Sequence, residues 1–372
     1  MGVAPQPMLR PGYGRAALSD LLPSVGSRLG VPGAENVLEL PAAERWVVLL
    51  IDGLGDLLLA DAAADAPYLS GLRGRTMTCG VPSTTVTSLT SLGTGLPPGQ
   101  HGMAGYMCRV PETNEILNAL IWNSAVKPRD FQSEPTVFER ARAAGIRTTS
   151  VSPARFEGSG LTSAALRGPD FHGVDEADED QRIREIVAAA TAGERTLVYA
   201  YERELDHTGH GRGVASPQWR EHLRRIDALC ARLRDALPDD VRLVITGDHG
   251  MIDVPGRNFL IVEDEPSLLA GVTGLAGEGR LRQLYTDEPR PLAGRWADRL
   301  GDHAWVRTRD EAIDEGWFGP VSDRVRRRFG DVLVAMRTDW AVMTKTLPRE
   351  LDLVGMHGSL TPVEMTIPLL VD

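Results

Sequence analysis

Six residues of this sequence have the chemistry of metal ligands and stand where an α/β protein would place a site. Asp52 follows the apolar run WVVLLI. Asp206 and His210 follow RTLVYAY, four residues apart. Asp248 and His249 follow VRLVIT directly, and His357 lies between glycines shortly before the last apolar run. A seventh candidate lies in GVPSTTVTSLTSLGTGLPPGQHGM, residues 80–103, where Ser83, Thr84, Thr85, Thr87, Ser88, Thr90 and Ser91 crowd together. Val86, Leu89 and Leu92 recur there at helical spacing, so the question is whether one hydroxyl is a nucleophile.

Each residue alone has a plainer reading. Asp52-Gly53 fits a turn after a strand, and the dinucleotide-loop alternative fails because Leu58 stands where a third glycine is required. Asp206 and His210 fit an i,i+4 pair on a solvated helix face. His357 fits a loop histidine. Asp248-His249 is harder to dismiss, because a polar pair abutting an apolar strand needs partners. His101 and His207 are candidates for support behind the ligands, and His172, His222 and His303 read as structural.

Together they imply more. Three Asp and three His suit zinc or a similar transition metal better than calcium or magnesium. A catalytic zinc takes about three protein ligands and keeps an open position, so six ligands suffice for two ions. Paired metals about 4 Å apart form the clamp used for in-line displacement at phosphorus. Thr85, at the start of a helix, then acquires a role. A threonine hydroxyl is a weak nucleophile until metal coordination stabilises its alkoxide. A helix N-terminus also favours phosphate nearby.

The elements that must position these residues follow from periodicity. The continuous run 46–51 reads as a buried parallel strand, and further strands are expected at 75–81, 146–151, 195–201, 241–246 and 366–371. Helices are expected at 17–29 (interrupted near Pro23), 84–92, 136–144, 182–192 and 216–237, the last with Ser216 as its cap and Pro217 in its first turn. Strands alternating with helices argue an α/β fold with a mostly parallel central sheet covered on both faces. Residues 255–346 break the pattern. Helices at 292–300 and 309–315, and strand-like runs 331–336 and 340–345 around a turn at Thr338-Asp339, read as a smaller mixed α+β cap insertion. The expected organisation is an N-terminal extension and helix over 1–45, a catalytic core over 46–254 and 347–372, and the cap over 255–346.

Bulk properties narrow the function. The chain has 372 residues, 42% of them hydrophobic, and a net charge of −11, which argues against broad binding to a nucleic-acid duplex. Three cysteines without a CxxC pair fit a reducing compartment. The N-terminus lacks the apolar centre of a signal peptide, and no apolar run approaches the length needed to span a bilayer. A soluble cytoplasmic protein without membrane association is expected.

The motifs LLIDGLG (49–55), VPSTT…SLGTGLPPGQHG (81–102), EPTVFERARAAG (134–145), DHTGH (206–210), TGDHGM (246–251) and GMHG (355–358) resemble those of the alkaline phosphatase superfamily, most closely its nucleotide pyrophosphatase/phosphodiesterase-like branch. They fall in family order over about residues 46–372. The resemblance implies an alkaline phosphatase-like fold and two Zn2+ per chain, one held by Asp206, His210 and His357, the other by Asp52, Asp248 and His249. It makes Thr85 the nucleophile bridging substrate to the second metal, with a covalent phosphothreonine hydrolysed by a metal-bound water. It implies a small phosphorylated substrate such as a nucleotide, cleaved at a phosphodiester or pyrophosphate bond. Two departures bear on substrate. Diesterases of this branch usually carry Asn three residues after the nucleophile and another shortly after the HG pair; here Ser88 and Tyr106 stand there. A phosphomonoesterase, or a phosphotransferase or mutase on the same core, is therefore the alternative. Lys127 and Arg129 have spacing suited to an extra phosphate charge, and Tyr106 and Trp122 could stack a nucleobase or aryl group.

Overall fold

The structure, a computed structural model, describes residues 4–372. Its centre is a seven-stranded sheet in the order Arg75–Thr78, Thr366–Val371, Val241–Gly247, Arg45–Ile51, Thr196–Glu202, Arg147–Pro153, Asp170–Val174. The run WVVLLI is buried throughout. Trp46, Val48 and Leu50 pack into one core and Val47, Leu49 and Ile51 into another, on the opposite face. That is the two-residue period of a strand covered on both sides. Burying each such side chain contributes about 1.5–3 kcal/mol, which holds this strand in the middle of the sheet.

Helices cover both faces, as expected. Leu21–Arg28, Thr85–Thr94 and Val137–Ala143 lie on one side, and Glu179–Ala190 and Pro217–Ala236 on the other. Ser216 caps the last of these by accepting from the Trp219 amide at 3.1 Å. Thr136 and Glu139 form a capping box on Val137–Ala143.

Several sequence expectations change. Pro23 does not interrupt its helix, because it is the third residue of Leu21–Arg28, where no helical amide bond is lost. The strand expected over 75–81 is only Arg75–Thr78. The last strand runs antiparallel to both neighbours. The runs around Thr338-Asp339 do not form a hairpin. Val332–Met336 joins an antiparallel sheet with Gly274–Glu278, Leu281–Tyr285 and Ala304–Thr308, whereas Ala341–Met343 pairs in parallel with Phe259–Ile261. Helix Pro289–Leu300 covers the four-stranded sheet around a core containing Trp296, Leu284 and Val334. The tip between Gly274–Glu278 and Leu281–Tyr285 leans onto the large sheet's domain. Arg280, fully buried there, donates from Nη2 to Glu364 Oε2 at 2.7 Å. No helix among the described residues is long and apolar enough to cross a membrane.

Candidate metal centre and active site

Strand register creates the site. Ile51 pairs with Glu202 on one side and Gly247 on the other, so the three strands end together. The next residues, Asp52 and Asp248, therefore emerge side by side. Helix Glu204–Arg212 starts just beyond Glu202 and carries Asp206 and His210 one turn apart on one face. Gly53 makes the turn possible. Its φ is +75°, and a Cβ there would stand 3.0 Å from the Asp206 Cβ. The bare backbone lets Asp52 and Asp206 approach.

Helix Thr85–Thr94 delivers the hydroxyl. Its N-cap, Thr84, makes no side-chain capping bond, so the first-turn amides have no partner from that residue. Ser83 ties the helix to the loop bearing His357. The Ser83 amide donates to Gly358 O at 3.1 Å, and Ser83 Oγ donates to Ser359 O at 2.7 Å. Thr85 Oγ1 then lies 3.4 Å from Asp52 Oδ1 and 3.2 Å from His249 Nε2.

The histidines are oriented alike. His210 Nδ1 lies 2.8 Å from Gly355 O, His357 Nδ1 2.8 Å from Ser83 O, and His249 Nδ1 3.0 Å from Gly250 O. Carbonyl oxygens only accept, so each Nδ1 carries a proton and each Nε2 is turned away from the backbone. Burial, reinforced by His249 and His210, holds the His357 pKa well below its ordinary value, which keeps that ring neutral. Its Nε2 faces His210 Nε2 at 3.3 Å. The rings of His249 and His357 stack at 3.6 Å.

The carboxylates complete the set. Asp206 Oδ2 is 3.3 Å from His210 Nε2, and Asp248 Oδ2 is 3.3 Å from His249 Nε2. Asp206 Oδ1 and Asp248 Oδ2 are buried without a hydrogen-bond partner. Burial, with Asp248 and Asp206 nearby, pushes the Asp52 pKa well up, and burial raises that of Asp248. Converging lone pairs, orphaned carboxylate oxygens and crowded negative charge fit bound cations. Asp206, His210 and His357 offer ligand atoms within 4.8 Å of one another, as do Asp52, Asp206 and His249. Asp206 thus adjoins both groups, a bridging position that spacing in the sequence does not show.

A cavity of about 510 Å3 opens in front of Thr85. Leu89, Phe156, Leu166, Phe171 and Tyr199 form apolar walls, and His207, Arg155 and Arg203 also line it. The substrate candidates separate here. Tyr106 lines the cavity, but its hydroxyl is bonded to Glu350. Ser88 does not line it. Ser88 is fully buried and donates to Asp248 O at 2.7 Å, so its role is to hold a ligand-bearing turn. Trp122 donates to Val126 O and packs edge-on against Phe131, outside the cavity lining. Lys127 is the N-cap of the short helix Pro128–Phe131 and Arg129 lies within it, and neither lines the cavity. His101 is a buried support. It accepts from the Met103 amide through Nδ1 and meets Ser91 Oγ at 2.9 Å, with burial pushing its pKa down to about 3.

Two functional candidates escape the sequence reading. Tyr201 donates to Asp52 Oδ2, and Glu278, at the end of strand Gly274–Glu278, lines the cavity. The first is legible in principle, as a polar-tipped aromatic near the end of a strand beside a ligand. The second carries no motif.

Fold and site together define an alkaline phosphatase-like α/β protein with an Asp/His cluster at its strand ends. The family model described as Type I phosphodiesterase / nucleotide pyrophosphatase matches residues 46–360, and the chain belongs to that family. It is 27% identical over 302 residues to human ectonucleotide pyrophosphatase/phosphodiesterase family member 7, covering 72% of this chain and 63% of that protein. It therefore spans less than two thirds of that relative's length. Over a shorter stretch of 83 residues it is 32% identical to GPI ethanolamine phosphate transferase 3 of Schizosaccharomyces pombe, which is 22% of this chain and 9% of that one. Murine ectonucleotide pyrophosphatase/phosphodiesterase 5, in an inactive form in complex with AMP, shares the fold with a TM-score of 0.69 at 16% identity. That match covers 88% of this chain and 87% of the other. The human counterpart matches equally well.

Proposed function

We propose that this protein is a two-metal phosphohydrolase that cleaves phosphodiester or pyrophosphate bonds through a covalent phosphothreonine at Thr85. The observation that carries this reading is the position of Thr85 Oγ1, within 3.4 Å of both Asp52 and His249 at the mouth of a helix. Family membership supports phosphoester chemistry, and the AMP complex of the murine neighbour makes a nucleotide the natural first substrate to test. Asp206, His210 and His357 would hold one cation, and Asp52, Asp248 and His249 the other. Two bound zinc ions would favour the ionised Thr85 hydroxyl and offset charge developing on the phosphoryl group. Thr85 Oγ1 forms the bond to phosphorus, and the ester or anhydride oxygen on the far side leaves. Water then displaces Thr85. Leu89, Phe156 and Phe171 form apolar parts of the wall, and apolar surroundings strengthen charge interactions. Three free, buried cysteines support a cytoplasmic setting, which fractionation of the source cells tests.

The deciding experiment assays bis-p-nitrophenyl phosphate against p-nitrophenyl phosphate, with elemental analysis of the same sample. The expected result is close to two zinc per chain, faster diester turnover, and loss of most turnover with metal retained in Thr85→Ala. Faster monoester turnover would favour the monoesterase. Product formation without inorganic phosphate or monoester release would favour a transferase, the activity named for the relative from Schizosaccharomyces pombe. A protein neither containing nor activated by zinc would overturn the metal assignment.

A further inference from the structure

Glu278 ends the strand Gly274–Glu278 at the hairpin tip that Arg280 pins to the core through Glu364. It is 5% exposed and lines the same cavity as Thr85 and His357. Its Oε1 accepts from the Tyr106 amide at 2.8 Å, and its Oε2 is buried with no partner. Two glycines make room for it. A Cβ on Gly105 would stand 2.9 Å from Glu278 Oε1, and one on Gly358, next to His357, would stand 3.1 Å from the Glu278 Cβ. The carboxyl is thus clamped between the loop after the nucleophile helix and the loop bearing His357. One oxygen is anchored and the other has no protein partner.

The neighbouring charges are accounted for. Arg282, fully buried, is paired with Glu350, which also receives the Tyr106 hydroxyl. His357 faces the cavity beside them. Burial is the largest influence on Glu278 and pushes its pKa up to about 8, with the Tyr106 amide and Arg282 opposing and Glu350 assisting. Burial thus favours the protonated acid, whose hydroxyl needs an acceptor. An ionised carboxylate there would repel a phosphoryl group, whereas a protonated one donates to it.

We propose that Glu278 is a further catalytic residue, whose carboxyl donates a hydrogen bond from Oε2 to a nonbridging oxygen of the phosphoryl group in front of Thr85. The assignment rests on the phosphohydrolase reading. It accounts for the departure at Tyr106, which stands where diesterases of the resembling branch carry Asn. The Tyr106 hydroxyl is committed to Glu350, while its amide holds the carboxyl that supplies the missing donor.

The test compares the zinc-loaded wild type with Glu278→Gln and Glu278→Ala. Turnover of bis-p-nitrophenyl phosphate, metal content, and calorimetric affinity for orthovanadate, which mimics phosphorus in its transition state, are measured. Glu278→Ala is expected to lose about 10²–10³-fold in kcat/KM, the range for a lost oxyanion donor, and to bind vanadate at least about tenfold more weakly with unchanged metal content. Glu278→Gln keeps an N–H donor and is expected to stay within about tenfold of wild type at pH 7. The donating form of Glu278 is present below its pKa and lost above it. Wild-type activity should therefore fall as pH rises through about 8, and Glu278→Gln should lack that decline. Wild-type activity and vanadate affinity in Glu278→Ala would overturn the assignment. So would depleted metal in that variant, or an unchanged alkaline decline in Glu278→Gln. Vanadate binding needs no turnover, so a wild type that hydrolyses neither bis-p-nitrophenyl phosphate nor p-nitrophenyl phosphate would refute the phosphohydrolase reading, while the vanadate comparison still decides whether Glu278 donates to a phosphoryl-like oxygen.

Discussion

Tyr201→Phe is the sharpest available probe of the metal centre, because it removes one atom and leaves the ring. Leu50 and Tyr201 are paired across neighbouring strands, and Asp52 lies two residues beyond Leu50, on the same face. The Tyr201 hydroxyl therefore meets Asp52 Oδ2 and donates to it. Burial, followed by the charges of Asp52 and Asp248, holds the phenol pKa well above its ordinary value, so the hydroxyl remains a donor at every working pH. The ring is fixed independently, stacked on Tyr199 at 6.5 Å and edge-on to Phe156 at 6.0 Å, and phenylalanine keeps those contacts. What is lost is one hydrogen bond to a buried carboxylate, worth about 1.5–3 kcal/mol. At about 1.4 kcal/mol per factor of ten, that is about 10–150-fold in affinity for a cation held by Asp52, in line with the roughly 10–100-fold typical of removing a group that orients a metal ligand. Competition with a chromophoric zinc chelator reads the two equivalents separately. If the proposed pair of sites holds, one should weaken by that factor and the other, assigned to Asp206, His210 and His357, should not. Tyr199→Phe is the control, since its buried hydroxyl has no hydrogen-bond partner. Wild-type affinity at both equivalents would refute the claim that Tyr201 sets Asp52. Equal weakening at both would refute the division of ligands between two ions, with Asp206 as the residue that joins them.

Two further substitutions test the supports of the site. Ser88→Ala removes the buried donor to Asp248 O and should cost about 1–2 kcal/mol in urea unfolding while diester turnover stays within about tenfold. A loss beyond about a hundredfold at unchanged stability would instead place Ser88 against substrate. Gly250→Ala would put a Cβ 1.9 Å from Val363 O, and the forced backbone shift should cost about 1–3 kcal/mol. It should also weaken zinc binding, because Gly250 O orients His249. An unfolding midpoint and zinc affinity equal to wild type would contradict that packing.

The central strands at 46–51, 195–201 and 241–246 are legible because each is a continuous apolar run, and such runs belong to strands buried on both faces. The ligand candidates are legible because a polar residue directly after such a run sits where the sheet ends and must find a partner there. Thr85 can be distinguished from the surrounding hydroxyls only through its family motif. Ser88 shows the limit of the same motif. Its position in the pattern points to substrate, whereas the placement of its helix beside the Asp248 turn directs its hydroxyl to a backbone carbonyl. Lys127, Arg129 and Trp122 are plausible by spacing alone, and spacing says nothing of which side of a loop faces a cavity.

What the sequence determined by itself is the chemistry available: an α/β framework, three aspartates, three histidines and a hydroxyl at a helix start. Local pattern suffices for that, since a strand end and a helix cap are set by neighbouring residues. Tertiary structure decided everything that depends on residues far apart in the chain. The common register of three strands put Asp52 beside Asp248. The backbone carbonyls of Gly355, Ser83 and Gly250 oriented the histidine rings, and the hairpin following Gly274–Glu278 brought Glu278 to the cavity that Thr85 lines. A buried carboxyl's proton, and a histidine's free nitrogen, are set by what surrounds them in space, and one-dimensional spacing carries no record of it.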